Sequence, residues 1–269
     1  INLAFAATTW TGNANTNWFN PANWDNGLPG SGNNAIIPAM PLGGLFPIID
    51  ALIIQNYQID NRGVITLDNN GAISNFSTFI NRANAVLNIG QGTSSFINGS
   101  GAVFDNFGAM ANSGVFTNDG GTYNNHGGAA VANFSQWFNN NSGNISNTGT
   151  YFNIGTLQNM ATISNFAIFE SLGLINNNGD FMNLTFGIIE VKNGSEFRNN
   201  SLFQIDDFSM CNIEGILNNF DRLVIQNNGS LTMAGTGILN NSTTISNVDN
   251  GVITNNGQIN NFFCAYIYN

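Results

Sequence analysis

The sequence predicts an all-β fold, a right-handed parallel β-helix of about ten coils with roughly 20 residues each. Three observations support this class. Charged residues make up only 7% of the 269 residues, while 42% are hydrophobic and 31 are glycine. Short apolar segments are separated by Asn and Gly along the whole chain, and one motif returns at a regular spacing. A disordered chain would lack the regular apolar residues, among them 22 Phe.

The long repeat is a pair of residues, usually apolar, followed by two asparagines. The best copies are 174–177, 197–200, 216–219, 238–241 and 258–261. They start about 20 residues apart, which is the period of one β-helix coil. Each coil then stacks on the one before it, so a rod forms in which neighbouring coils support each other.

A shorter repeat of six or seven residues lies within each coil. The segments 103–108, 109–114 and 115–120 each carry an apolar residue at the second position, an Asn at the fourth and a Gly at the end. Gly and Asn favour the tight turns that separate strands, and no stretch has the spacing of an amphipathic helix. The repeat therefore predicts three short strands per coil, with parallel and right-handed connections.

Asparagine has a structural role in this prediction. Asn tolerates the left-handed backbone of corners, and Asn side chains stacked in successive coils can pass amide hydrogen bonds along a ladder. We expect the ladder at the Asn-rich corner of the repeat, with Asn240 pointing inward. The predicted ladder residues are Asn177, Asn199, Asn218, Asn240 and Asn260.

Residues 1–50 differ from the β-helix predicted for residues 51–269. They hold three of the four tryptophans and all five prolines, and we expect a leader that caps the first coil. The order Trp10-Thr-Gly12, Trp18, Asn23-Trp24, Gly27-Leu-Pro29 and Ile36-Ile-Pro38 resembles the leader of secreted bacterial β-helix proteins, including autotransporter-like passengers. This resemblance implies a secreted or cell-surface protein. Ala4-Phe-Ala6 also resembles the end of a signal peptide.

The charge pattern argues against two classes of partner. The net charge is −10, and the five basic residues are scattered along the chain, whereas nucleic acids and anionic membranes are bound by clustered Lys and Arg. No apolar run reaches the roughly 20 residues of a membrane helix. Cys211 and Cys264 are too few for a disulfide framework, and we expect both to be small buried residues.

The sequence favours a protein that is not an enzyme and has no cofactor or metal. Asp206 and Asp207 form the only adjacent acid pair, and we expect a solvated corner there and not a hydrolase site. His126 is the only histidine, so a catalytic triad or a multi-histidine metal site cannot form within one chain. Asn118-Asp-Gly-Gly121 offers a single carboxylate, which is a poor site for Ca²⁺.

Two readings of function remain open. An adhesin stalk or a carbohydrate-binding or carbohydrate-active module would use Trp137 with Phe134 and Phe138, although the coil pattern favours these aromatics as core. The preferred reading is a structural extracellular or surface protein whose copies join head to tail, with surface glycans as a further partner. Both terminal segments are apolar and uncharged, so strands could pair between copies. The predicted contact residues are Ile1, Leu3, Phe5, Phe262, Phe263, Tyr266, Ile267 and Tyr268.

Overall fold

The structure is a computed structural model that describes residues 6–30, 32–262 and 264–268. The described residues form three parallel sheets, which the chain visits in rotation, so each coil contributes one strand to sheet I, one to sheet II and one to sheet III. A short 3-10 helix, Pro21–Asn23, lies before the first complete coil. Every strand pair in the three sheets is parallel and in register, as in Asn139 beside Asn159.

Sheet I has 11 strands. They are β3 (Ile48–Ile49), β6 (Val64–Leu67), β9 (Val86–Ile89), β12 (Ala109–Asn112), β15 (Ala130–Asn133), β18 (Thr150–Asn153), β21 (Ile168–Ser171), β24 (Ile188–Val191), β27 (Met210–Ile213), β30 (Ser230–Met233) and β33 (Val252–Asn255).

Sheet II also has 11 strands. They are β4 (Leu52–Gln55), β7 (Ala72–Asn75), β10 (Ser95–Asn98), β13 (Val115–Asp119), β16 (Gln136–Asn140), β19 (Thr156–Asn159), β22 (Leu174–Asn177), β25 (Glu196–Asn199), β28 (Ile216–Asn219), β31 (Ile238–Asn241) and β34 (Gln258–Asn261).

Sheet III has 13 strands because the leader adds two. They are β1 (Ala6–Thr9), β2 (Asn33–Ile37), β5 (Ile59–Asn61), β8 (Thr78–Asn81), β11 (Val103–Asn106), β14 (Thr122–Asn125), β17 (Asn144–Asn147), β20 (Thr162–Asn165), β23 (Asp180–Asn183), β26 (Leu202–Ile205), β29 (Arg222–Ile225), β32 (Thr244–Asn247) and β35 (Tyr266–Tyr268).

Strands of four residues explain how the core forms. Side chains alternate across a strand, and the second and fourth residues of nearly every strand are buried while the first and third face outward. The second position is apolar in all three sheets and fills the centre of the coil, as Phe116, Trp137 and Leu157 do in sheet II. Aromatic rings stack along the rod, with 3.9 Å between the ring centroids of Phe116 and Trp137.

These observations confirm the predicted all-β solenoid with three strands per coil. Eleven coils run from β3 to β35, where about ten were expected. Coil length varies from 18 residues between Asn147 and Asn165 to 25 between Asn81 and Asn106. The right-handed sense of the coil stays a prediction.

The leader packs onto the first coil and continues its core. Trp10, Trp18 and Trp24 are buried together, and Trp24 lies edge-on to the other two rings at centroid distances of 5.2 and 4.8 Å. The indole Nε1 of Trp10 donates to the carbonyl of Leu45 at 2.6 Å. Strands β1 and β2 extend sheet III beyond β5. Strand β3 lies before residue 50 and already belongs to sheet I. A separate leader domain that ends at residue 50 stays a prediction.

Candidate interaction surfaces

Inward-facing asparagines occupy the fourth strand position at the corners and form hydrogen-bonded ladders. In sheet II, Asn139 Nδ2 donates to Asn159 Oδ1 at 2.8 Å and to the carbonyl of Thr162 at 2.9 Å, while its own Oδ1 accepts from Asn118. Sheet III repeats this arrangement from Asn61 to Asn183. The amides of these ladders are therefore paired along the rod, which offsets the cost of burying them, although Asn112 Oδ1 has no hydrogen-bond partner among the described residues.

The structure separates the predicted ladder residues into two groups. Asn177 and Asn199 are fully buried in the inner ladder of sheet II, with Asn177 Nδ2 donating to Asn199 Oδ1 at 2.8 Å. Asn218, Asn240 and Asn260 occupy the third strand position, which faces outward. The prediction that Asn240 points inward is wrong.

The register of the double-Asn motif explains this error. In β28 and β31 the inward residues are the second asparagines, Asn219 and Asn241, and a slip of one residue exchanges the two faces of a strand. The outer asparagines form a shorter ladder of their own, in which Asn260 Nδ2 donates to Asn240 Oδ1 and Asn240 Nδ2 to Asn218 Oδ1, both at 2.8 Å. In this outer ladder each Nδ2 donates to an Asn of the preceding coil, whereas in the inner ladder each Nδ2 donates to an Asn of the following coil.

The last described coil is the least buried part of the solenoid. In β35 all three residues are exposed, and Phe262 is exposed at the preceding corner. Ile253 and Ile259 hold the inward positions of β33 and β34 but are only partly buried, because no further coil covers them among the described residues. The predicted contact residues Ile1, Leu3, Phe5 and Phe263 lie outside the described residues.

The aromatic residues of the alternative glycan site do not share one surface. Trp137 is fully buried in the core column of sheet II, as the coil pattern favoured. Phe138 faces outward on the same strand, and Phe134 is exposed at a different corner, between sheets I and II. The structure therefore does not bring these three rings together as one groove.

The polar residues singled out in the sequence have ordinary structural partners. His126 Nε2 lies 2.9 Å from Asp105 Oδ1, and its ring stacks on Phe107 with 3.9 Å between centroids. Burial would raise the pKa of Asp206, but hydrogen bonds from Gln226, Asn227, Gln204 and the Asp207 amide lower it overall. No group of three or more His, Cys, Asp or Glu side chains converges as a metal site in the part of the chain described.

The two cysteines differ in environment. Cys211 is a buried core residue, and burial raises the pKa of its thiol well above the usual range. Cys264 is exposed, so the prediction that both cysteines are buried is wrong for Cys264. Its corner position after Phe262 and its positive φ of 61° place it in a turn and not in a strand.

The outer face of sheet I is the most apolar of the three outer faces. Its first outward column is formed by residues in register from strand to strand, and it contains no charged side chain over seven coils. The column consists of Val86, Ala109, Ala130, Thr150, Ile168, Ile188 and Met210. Outward residues of sheet III in the same coils are mostly polar, as Asn144, Ser146, Thr162 and Ser164 are.

A row of exposed phenylalanines borders this column at the corner between sheets III and I. Phe107, Phe166, Phe186 and Phe208 each lie two residues before a column residue, and all four are exposed. Sequence reasoning missed them because it assigned apolar residues to the core. The signal available was the spacing Phe-x-Ile or Phe-x-Met at 166–168, 186–188 and 208–210.

The charged residues of sheet I lie on its second outward column and at the far corner. Lys192 Nζ contacts Glu190 at 2.5 Å and Glu214 at 3.8 Å. The hydrogen bond to Glu190 is the main reason that the pKa of Lys192 is raised, and the Glu214 and Glu170 charges add to it. These groups lie away from the first column. At the corner of the phenylalanine row, Asp207 is exposed beside Phe208 and accepts a hydrogen bond from Thr185 at 2.7 Å.

Comparisons with known proteins add little. No protein-family model and no curated protein matches the chain. Among solved structures it is similar to the crystal structure of a TibC-catalyzed hyper-glycosylated TibA55-350 fragment, at 11% identity over 82% of this chain and 99% of that chain. The TM-score of 0.24 is too low for this similarity to support an argument about function. The described part of the chain contains no helix that is long and apolar enough to cross a membrane.

Proposed function

We propose that this protein is a structural component of an extracellular or cell-surface assembly, in which copies join end to end. The observation that carries the proposal is the surface of the last described coil. Phe262, Tyr266, Ile267 and Tyr268 are exposed there. An end coil of this kind offers unpaired strand edges and uncovered apolar side chains to another chain.

The body of the solenoid suits a supporting role. Its three amide-lined corners and continuous apolar columns make each coil depend mainly on its two neighbours. A contact between the last coil of one copy and the first part of the next has no reason to close on itself, so it propagates a filament. Residues 250–268 contain no Asp, Glu, Lys or Arg, so the last described coil itself adds no charge to the contact.

The test is the assembly state of the full 269-residue chain. Sedimentation velocity and negative-stain electron microscopy should show linear polymers of the purified protein. The double substitution Ile267→Asp with Tyr268→Asp should leave no linear polymers, because two buried charges without partners oppose the end contact. Phe220→Asp is the matched control, since Phe220 is exposed at a corner away from the end coil, and it should polymerise normally.

The outcomes separate the two readings of function. Polymers that disappear only in the double variant support the end-to-end assembly. Absence of linear polymers in the unsubstituted chain overturns the proposal and favours a stalk or binding module. Polymers that persist in the double variant also overturn it, because the last coil would then not be the contact.

A further inference from the structure

One face of the solenoid carries both a projection and a matching recess. The projection is formed by Phe186 and Phe208, which are 68% and 54% exposed at the corner between sheets III and I. Their rings stack on each other, with 5.8 Å between centroids and 21° between planes. Each ring is thus held by its neighbour and stands out from the face as part of one ridge.

The backbone at these two residues is unusual. Phe186 and Phe208 have φ values of 65° and 61°, in the left-handed region that bulky residues rarely adopt. The same turn in the next two coils uses Asn227-Asn228 and Asp249-Asn250, which tolerate this region better. An exposed Phe at a strained position gains nothing from the core, and such outliers suggest a functional constraint.

The recess lies on the same corner and column, nearer the first coil. It is lined by Val86, Phe107, Gly108, Ala109, Gly128 and Ala130. Gly128 has φ +86°, and a Cβ at this position would meet no atom within 4 Å, so the space above it is open. Small residues therefore leave a hollow where the later coils have large ones.

The strand register relates the recess to the projection. In the first outward column of sheet I, Thr150 and Ile168 lie in two adjacent coils at the centre. One coil further out on each side are Ala130 and Ile188. One coil beyond these are Ala109 and Met210. The corner residues lie two positions before these column residues in the sequence. At equal distances from the centre, Gly128 therefore corresponds to Phe186, and Phe107 corresponds to Phe208. Small and large side chains are thus exchanged along the column and at the pair Gly128 and Phe186, whereas Phe107 and Phe208 place one ring opposite another.

We propose that this face binds a second copy of the chain in a two-fold lateral dimer. A two-fold axis parallel to the strands, passing between Thr150 and Ile168, places Phe186 of each copy over Gly128 and Ala130 of the other. The same surface is used twice, as in isologous dimers. The coils of the two surfaces stay in step only for a partner with the same spacing between coils, and a second copy has that spacing.

The area is sufficient for a specific contact. At about 200 Å² for a whole aromatic side chain, the exposed parts of the four corner phenylalanines come to roughly 400 Å² per copy. With Ile168, Met210 and the alanines added, two copies bury on the order of 1,000 Å², which is the lower bound for a specific interface. Glu170 and Glu190 stand on the second column, at the rim, where water still reaches them.

This lateral contact uses a different surface from the end-to-end contact proposed above, so the two can be tested apart. The background is the full chain with Ile267→Asp and Tyr268→Asp, which removes the end contact. In sedimentation equilibrium this chain should form dimers. Phe186→Asn with Phe208→Asn removes the projection, and Ala130→Phe fills the recess; each should raise the dimer Kd at least tenfold.

Mixing the two variants gives the sharper result. A copy without the projection and a copy with a filled recess retain one native contact between them and have no clash at the other site. The mixture should therefore form heterodimers while each variant alone stays monomeric. Phe76→Asn is the matched control, because Phe76 is exposed at the corner between sheets II and III, and it should dimerise normally.

The outcomes can be assigned without ambiguity. Both variant sites face outward, so thermal unfolding should show an unchanged or higher Tm for the projection variant. A background chain that stays monomeric overturns the lateral dimer. Equal dimerisation of all variants, or a mixture that does not associate, overturns it as well, and neither result bears on end-to-end assembly.

Discussion

Two coils of different length show what a corner residue contributes to the turn that follows it. From Asn147 to Asn165 the coil takes 18 residues, which is three four-residue strands joined by three two-residue turns. From Asn183 to its register partner Ile205 the chain needs 22 residues, because two of its three turns have four residues. The shorter coil has an inward Asn before each of its turns, whereas the two four-residue turns of the longer coil follow Asn183 and Val191.

The side chain of the corner Asn makes the short turn possible. Asn159 Oδ1 accepts from the amide of Ala161 at 3.2 Å, and its Nδ2 donates to the carbonyl of Ala161 at 3.1 Å. The amide thus closes a two-residue turn by itself, as Asx turns do. Valine and isoleucine cannot do this, so most apolar corners are followed by longer turns whose backbone hydrogen bonds close the loop. An inward Asn also occurs before a longer turn, as at Asn183, whose Nδ2 donates across the turn to the carbonyl of Gly187 at 3.0 Å. The projecting Phe186 and Phe208 both sit in four-residue turns.

The strongest way to break this relation is to remove one corner amide from a short coil. Asn159→Leu should lower the free energy of unfolding by about 2–4 kcal/mol, because it removes one acceptor of Asn139 Nδ2, the donor to Asn177 Oδ1 and the hydrogen bonds of its own turn. Chemical denaturation measures the change. The neighbour Gln158 faces outward on the same strand, and Gln158→Leu should change stability by less than about 0.5 kcal/mol. Equal losses in the two variants would contradict the importance of the inner ladder.

The converse substitution places an amide at an apolar corner. Val191→Asn alone should cost about 1–3 kcal/mol, because a buried amide replaces a packed side chain while the four-residue turn leaves it poorly paired. Deleting Asn193 and Gly194 as well leaves a two-residue turn, which is the length that follows the inward Asn133 at the same corner of β15. The deletion should recover at least half of the loss in chemical denaturation. A deletion that only adds to the loss would show that turn length does not follow the corner residue.

The buried side chain of Asp60 forms ion pairs with one arginine in each of the two types of turn. Asp60 binds Arg62, in a two-residue turn, and Arg82, in a four-residue turn, at 2.8 Å each. Burial would raise the pKa of Asp60, but hydrogen bonds from Arg82 and Arg62 and their charges lower it overall. The stability from this ionised group is therefore present above the ordinary carboxylate pKa, near 4, and is lost as the pH falls through the lowered folded-state value.

Replacing this acid should show the same pH dependence. Asp60→Asn should destabilise the protein by about 1–2 kcal/mol at pH 7, and the difference from the unsubstituted chain should shrink as the pH falls below about 4. Thermal unfolding between pH 7 and pH 2.5, roughly the span over which carboxylates titrate, measures it. Asp180 is exposed, and Asp180→Asn is the control without this effect. A difference that stays constant with pH would contradict the role of the Asp60 charge.

Much of this fold follows from the sequence, and the exceptions have physical causes. The rhythm of Val103 to Gly120 predicted three strands per coil because alternation fixes which side chains face the core. Asn218 and Asn219 could not be told apart in the same way, since either one of two adjacent amides can point inward. Phe186 and Phe208 were not predicted at the surface, because an exposed Phe in a left-handed turn contradicts both the apolar-inward rule and backbone preference.

The smallest expected effect concerns these two turns. The turns that begin at Leu184 and Asp206 hold Phe where the following coils hold Asn228 and Asn250 in the same left-handed conformation. Phe186→Asn with Phe208→Asn should raise the free energy of unfolding of the monomer by roughly 1 kcal/mol, because asparagine tolerates that conformation better and little apolar burial is lost. Chemical denaturation of the chain carrying Ile267→Asp and Tyr268→Asp, at a concentration below the dimer Kd, measures this gain without the contribution of association. Asn228→Phe is the converse control and should lower stability by a similar amount. If the double variant is less stable as a monomer, the phenylalanines support their own coils, and their exposure needs no partner to explain it.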